Sequence, residues 1–148
     1  FTQAILQKAT ILFEKDKIKF KIYVNRIFVI GLVITFLMGL IVIILSKWII
    51  FLLAGSYVVY SENILKILAF IPFLSMLNFN NMIEILVNEK KYLLTKATWI
   101  TAIIMLVLAI ISSYYYGGYG LSIALVITEI VSFIVYSSLL IKNKHEGV

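Results

Sequence analysis

Four runs of roughly twenty apolar residues dominate this chain, and no water-soluble fold of its size can hide them all. A membrane helix needs about 20 mostly apolar residues to cross a hydrocarbon core of ~30 Å. Ile27–Ser46 qualifies without a single charge. So do Ile64–Val87, with Lys66 and Glu84 near its ends, Tyr92–Ser113, with Lys96 at its start, and Leu121–Ile141, interrupted only by Glu129. Hydrophobic residues make up 63% of the 148 and charged residues 14%; ordinary soluble domains run nearer ~45–50% and ~25%. A domain this small buries too little of its surface to absorb that excess, so the expected solvent is lipid. Backbone facing lipid must satisfy its own hydrogen bonds, which makes helices the expected form. The runs are also too long and too uniformly apolar for the alternating strands of a barrel. The expected fold class is all-α, an integral membrane helical bundle with four transmembrane helices.

Composition removes several chemistries. There is no Cys, hence no disulfide, thiolate nucleophile or Cys-ligated metal. The sole His, His145, lies in the polar tail, which leaves no histidine cluster for a metal and no histidine dyad. Gly117, Gly118 and Gly120 sit in YYYGGYG, a run without a basic residue to hold phosphate. It reads as a tight external turn with interfacial aromatics. No catalytic residue, metal or cofactor is expected.

The net charge of +6 is first a question of placement. Segment 1–26 carries Lys8, Lys15, Lys17, Lys19, Lys21 and Arg26; the turn before the third span carries Lys90, Lys91 and Lys96; the tail 142–148 carries Lys142 and Lys144. With four spans, about 27–46, 64–87, 92–113 and 121–141, all of these fall on one side, and only Lys47 and Lys66 on the other. Positive loops stay inside, so both chain ends are expected in the cytoplasm. Counting the short apolar stretch Ile49–Tyr60 as a fifth span would destroy this alternation. It is read as an extension of the first helix ending near Gly55, with Tyr57 and Tyr60 at the interface. Segment 1–26 mixes Ile, Leu and Phe with its lysines and is expected to be a cytoplasmic basic amphipathic segment lying on anionic headgroups, with a solvated loop as the alternative. The charge is a topology signal, and nucleic acid is not an expected partner.

Polar residues sort by face at ~100° per residue. On the first span Gly31, Thr35, Gly39 and Ser46 fall within roughly 80°, a stripe that lets helices approach closely in lipid. The third span gathers Thr98, Thr101, Ala102, Met105, Ala109 and Ser112 on one mildly polar face, with packing as the default. The second span places Asn80, Asn81, Glu84 and Asn88 within about 100°, with Asn78 on the flank. An acid at mid-helix costs ~2.5–3.5 kcal/mol on insertion scales, so this face should meet other helices or a watery cavity. For Asn78 and Asn81 a functional or inter-helix role is favoured. Glu84 is a transport candidate or simply marks the approach to the cytoplasmic surface. Pro72 removes a backbone donor and is a hinge candidate. Glu129 lies about 12 Å into the fourth span, with Ser122, Ser132 and Tyr136 on its face. An intramembrane carboxylate binds a cation, carries a proton, or hydrogen-bonds a neighbouring helix.

Four features in order resemble a known family: the basic ATILFEKDKIKFKIYVNR, the span end IIFLLAGSYVVYSENILKILAF, a polar span with the turn VNEKKYLLTK, and YYYGGYGLSIALVITEIVSFIVY. Together they are similar to the carboxyl-terminal third of Wzx-type (O-antigen and teichoic-acid) polysaccharide flippases, part of the superfamily that includes multidrug extruders. The matching positions are Gly55, Tyr57, Tyr116, Gly117, Gly120, Thr128 and Glu129. The resemblance implies a twelve-helix transporter of which these are the last four helices, in keeping with a first residue, Phe1, that is not Met. It implies a bacterial inner-membrane location and flipping of undecaprenyl-pyrophosphate-linked oligosaccharide to the outer leaflet by alternating access. It further implies an ion gradient of H+ or Na+, with membrane lipids and the remaining helices as partners. Alternatives are a multidrug extruder, a stand-alone four-helix exporter or a membrane assembly subunit. Small exporters of that size carry their acid in the first helix, where this chain has none.

Overall fold

The computed structural model describes residues 2–87 and 91–145, with side chains for 7–87 and 91–142. Asn88 and Lys90 of the basic turn lie outside the described residues, as does Phe1. The architecture is all-helical: α1 (Thr2–Lys15), α2 (Lys17–Ala54), α3 (Val59–Leu68), α4 (Ile71–Val87) and α5 (Lys91–His145).

Each break has a local cause. Asp16 adopts an extended conformation between α1 and α2, and its carboxylate accepts from the N–H groups of Ile18 at 2.9 Å and Lys19 at 3.1 Å. This cap satisfies donors that α2 would otherwise leave open. These hydrogen bonds, the Lys19 N–H foremost, hold the carboxyl below its ordinary range. The basic segment 1–26 therefore divides at Asp16, and residues 17–26 continue into the long helix. α1 returns along the bundle, burying Ala9 with Phe20 and Val24 of α2 and Ile83 and Val87 of α4. α2 runs on to Ala54, where Gly55 takes a left-handed conformation and donates to the Phe51 carbonyl at 3.0 Å.

Pro72 explains the corner between α3 and α4. It has no N–H for the carbonyl four residues back, and its ring crowds that carbonyl. The carbonyl belongs to Leu68, the last residue of α3. Pro72 itself sits in the first turn of α4, where a missing donor costs nothing. The interruption within the expected 64–87 span is thus a corner at Ala69–Phe70.

Gly117 breaks α5 with φ 59° and ψ −140°, a conformation essentially restricted to glycine. The arm of residues 91–116 and the arm of residues 118–145 then run back to back. Leu93 and Leu140 bury Ile85 between them, the Thr98 and Tyr136 hydroxyls lie 3.4 Å apart, and Gly120 packs on the Ser112 carbonyl. Tyr60 clasps the turn, accepting from the Tyr119 N–H at 3.1 Å and donating to the Tyr116 carbonyl at 3.3 Å.

The small-residue stripe of α2 faces α3 and α4. Gly31 meets Met76, and a Cβ on Gly39 would stand 2.9 Å from the Ala69 carbonyl oxygen. Outside these seams apolar side chains face outward, Leu53 at 80% exposure and Ile44 at 75%. Three helical stretches, Lys17–Ala54, Val59–Val87 and Lys91–Lys142, are long and apolar enough to cross a membrane.

Candidate functional site

The polar residues of α4 divide between two neighbours. Asn78, which is buried, points at the second arm of α5. Its amide nitrogen donates to the Glu129 carboxylate at 3.1 Å and more weakly to the Glu129 carbonyl at 3.4 Å. One turn on, the Asn81 amide donates to the Ser137 hydroxyl at 2.9 Å. The partner numbers rise together, from Asn78 with Glu129 to Asn81 with Ser137 and on to Ile85 beside Leu140, so α4 and the second arm of α5 run parallel and both pairs lie in one seam. Asn80 and Glu84 instead line a cavity against α1 and α2. The arc read from the sequence thus serves two interfaces.

Asn78 gives the seam its unusual property. Its amide nitrogen is engaged, but its carbonyl oxygen is buried without a hydrogen-bond partner. An orphaned acceptor costs roughly 1–3 kcal/mol. The side chain cannot turn to relieve it, because that would set the oxygen against the carboxylate. The Glu129 carboxylate is thus held by an amide donor between two apolar helices. A carboxylate so placed suits a proton or a small cation. Among the described residues no group of three or more His, Cys, Asp or Glu is placed to hold a metal.

A second cluster escaped the sequence reading. Glu62, in the first turn of α3, is buried although it is an acid. Its carboxylate pairs with the Lys66 ammonium at 2.6 Å, accepts from the Ser46 hydroxyl at 3.2 Å, and accepts a short hydrogen bond from the Tyr57 hydroxyl. The Lys47 ammonium lies 5.1 Å from the centre of the Tyr57 ring. Donating to a carboxylate favours the protonated phenol, so the Tyr57 hydroxyl titrates above its ordinary value of 10.0. The i,i+4 spacing of Glu62 and Lys66 was a signal for part of this cluster; Ser46, sixteen residues away on the α2 stripe, carried none. The Asn78–Glu129 seam and this cluster lie on opposite sides of the α3–α4 corner. Comparison with models of protein families, with curated proteins and with solved structures finds no match to this chain.

Proposed function

We propose that this chain supplies four membrane-crossing helices, the carboxyl-terminal part of a flippase for lipid-linked oligosaccharide in a bacterial inner membrane. The Asn78–Glu129 contact carries the reading: a half-buried carboxylate and the amide that donates to it, whose own oxygen is left without a partner, are expensive within an apolar bundle unless they work. In this proposal they take up H+ or Na+ and couple the ion gradient to alternating access. The reversal of α5 at Gly117 supports four crossings in place of three. The basic residues favour both ends in the cytoplasm, since Lys17, Lys21, Lys91 and Lys142 share one end of the bundle while Lys47 and Lys66 lie towards the other. Undecaprenyl-pyrophosphate-linked sugar as substrate rests on the family resemblance.

Glu129→Gln in the intact gene product tests the proposal. The variant keeps an acceptor for Asn78 and removes the charge. Surface polysaccharide is expected to fall at least about tenfold at unchanged protein level, the effect of about 1.4 kcal/mol on a coupled step. Unchanged polysaccharide refutes the coupling role. A changed drug tolerance with unchanged polysaccharide favours the multidrug extruder.

A further inference from the structure

The hydrogen bonds around Glu129 narrow which ion it takes. The Asn78 amide nitrogen donates to one carboxylate oxygen at 3.1 Å, while the oxygen of the same amide is buried with no partner. Asn78 is 9% exposed, so bulk water does not reach that oxygen. A metal ion finds few ligands here. Hard cations take about six oxygens, and sodium sites within membranes draw several from unwound backbone carbonyls. α4 is helical through Asn78 and the second arm of α5 through Glu129, so their carbonyls serve their own helices. The Thr128 hydroxyl donates to the Ala124 carbonyl at 2.7 Å. Asn81, at the next contact of the seam, presents its nitrogen, a donor that repels a cation.

A proton meets the need that a cation leaves open. On Glu129 it creates an O–H, the donor that the Asn78 oxygen lacks. The Asn78 nitrogen keeps its bond to the other carboxyl oxygen, and a turn of the amide about its Cβ–Cγ bond brings its own oxygen to the acid. In the charged form two acceptors would meet, so the second bond closes only with the proton in place. We propose that the ion taken up at Glu129 is a proton, held in a doubly hydrogen-bonded pair of acid and amide, and that Asn78 selects it over Na+. One O–H bond forms with a proton from water and breaks when the proton returns to water. The charged groups of the packed elements are placed elsewhere. Glu84 of α4 lines the cavity against α1 and α2. Lys66 of α3 shares an apolar groove with Val126 and Ile130 and is paired with Glu62 at 2.6 Å. Lys91 and Lys96 of the first arm are exposed. The inference rests on the reading of Glu129 as the coupling site and narrows its ion.

The test is infrared difference spectroscopy of the intact gene product reconstituted in lipid, as a pH series, for the wild type, Glu129→Gln and Asn78→Leu. The wild type is expected to show a carboxylic-acid C=O band that shifts in D2O, lies at the low, strongly hydrogen-bonded end of the range, and is absent from Glu129→Gln. Asn78→Leu, similar in volume, should move that band to higher frequency. Replacing choline by Na+ at constant pH should leave it unchanged. No such band down to the pH at which circular dichroism shows the fold lost overturns the proposal. So does loss of the band to Na+, which assigns a metal cation. A wild-type band at the frequency of a free acid overturns the pairing without recourse to any Asn78 variant, and so does a band that Asn78→Leu leaves in place. Surface polysaccharide separates the failures. An acid band with unchanged polysaccharide in Glu129→Gln keeps the proton site and loses the coupling, whereas a fall in polysaccharide with a band lost to Na+ keeps the coupling and loses the proton.

Discussion

Replacing Gly117 by Ala should uncouple the two arms of α5 by an amount the geometry fixes. At φ 59° and ψ −140° a residue with a Cβ carries about 1–3 kcal/mol of backbone strain. The new methyl would also stand 3.2 Å from the Tyr60 hydroxyl, a few tenths of an ångström too close. Tyr60 can retreat only by stretching its bonds to Tyr116 and Tyr119, each worth about 1 kcal/mol. Gly117→Ala should therefore cost about 2–4 kcal/mol, and Tyr60→Phe, which loses both bonds and keeps the ring, about 1–2 kcal/mol. The double variant should cost less than the sum by about 1 kcal/mol, because Phe lacks the oxygen that the methyl meets. Gly118→Ala is the control: its Cβ is tight only against the flexible end of Ile64, at 3.2 Å, and touches Tyr60 at an ordinary 3.7 Å, so its shift should stay within about 0.5 kcal/mol. Unfolding of the detergent-solubilised chain by increasing SDS, followed by circular dichroism, reads all four. A Gly117→Ala variant no less stable than Gly118→Ala, or strict additivity with Tyr60→Phe, refutes the clasp.

Gly39→Val should separate α2 from the α3–α4 corner and cost about 1–3 kcal/mol as overpacking, checked in the same titration; a value near zero means the contact at Ala69 yields freely. Asn81→Ala and Ser137→Ala should each cost about 0.6 kcal/mol, the usual worth of a hydrogen bond between membrane helices, and the pair should cost little more than either alone; full additivity would deny that they bond. Tyr57 binds its proton more tightly in the fold, so its contribution is complete below the ordinary value of 10.0 and is lost as pH rises through the raised one. An ultraviolet difference titration against Tyr57→Phe should place the lost phenol's ionisation above 10.0, and the variant should also lose that group's share of the alkaline loss of stability.

The helical class was legible because length and uniform apolarity leave lipid-facing backbone no other form. Local breaks were legible where one residue decides: Gly55 ends α2, and Gly117 turns α5. Pro72 drew attention for its missing donor, yet the consequence falls four residues earlier, at Leu68. The polar arc of α4 could be drawn from the sequence, but its division could not. Which neighbour Asn78 or Asn80 meets depends on where α1 and α5 dock, and helical spacing holds no record of that. Glu62 lay hidden for the same reason, since Ser46 reaches it only through tertiary packing. The boundary at Asp16 was masked by basic residues on both sides, although an acid with free N–H groups two and three residues on is a cap by its chemistry.

The close approach at Gly39 makes α2 a lever. The helix is 38 residues long, about 57 Å at ~1.5 Å per residue, nearly twice the ~30 Å of hydrocarbon it would cross. Gly39 lies between the arms as a fulcrum pressed on the corner at Ala69. A tilt of about 5° there carries the Asp16 end through about 3 Å and the Ala54 end, in the opposite sense, through about 2 Å. The lysines of the α1–α2 cavity ride on one arm, and Ser46 with Lys47 on the other. Such a tilt would move the cavity lysines, Lys17 and Lys21, and Ser46, a hydrogen-bond partner of the Glu62 carboxylate, in opposite senses.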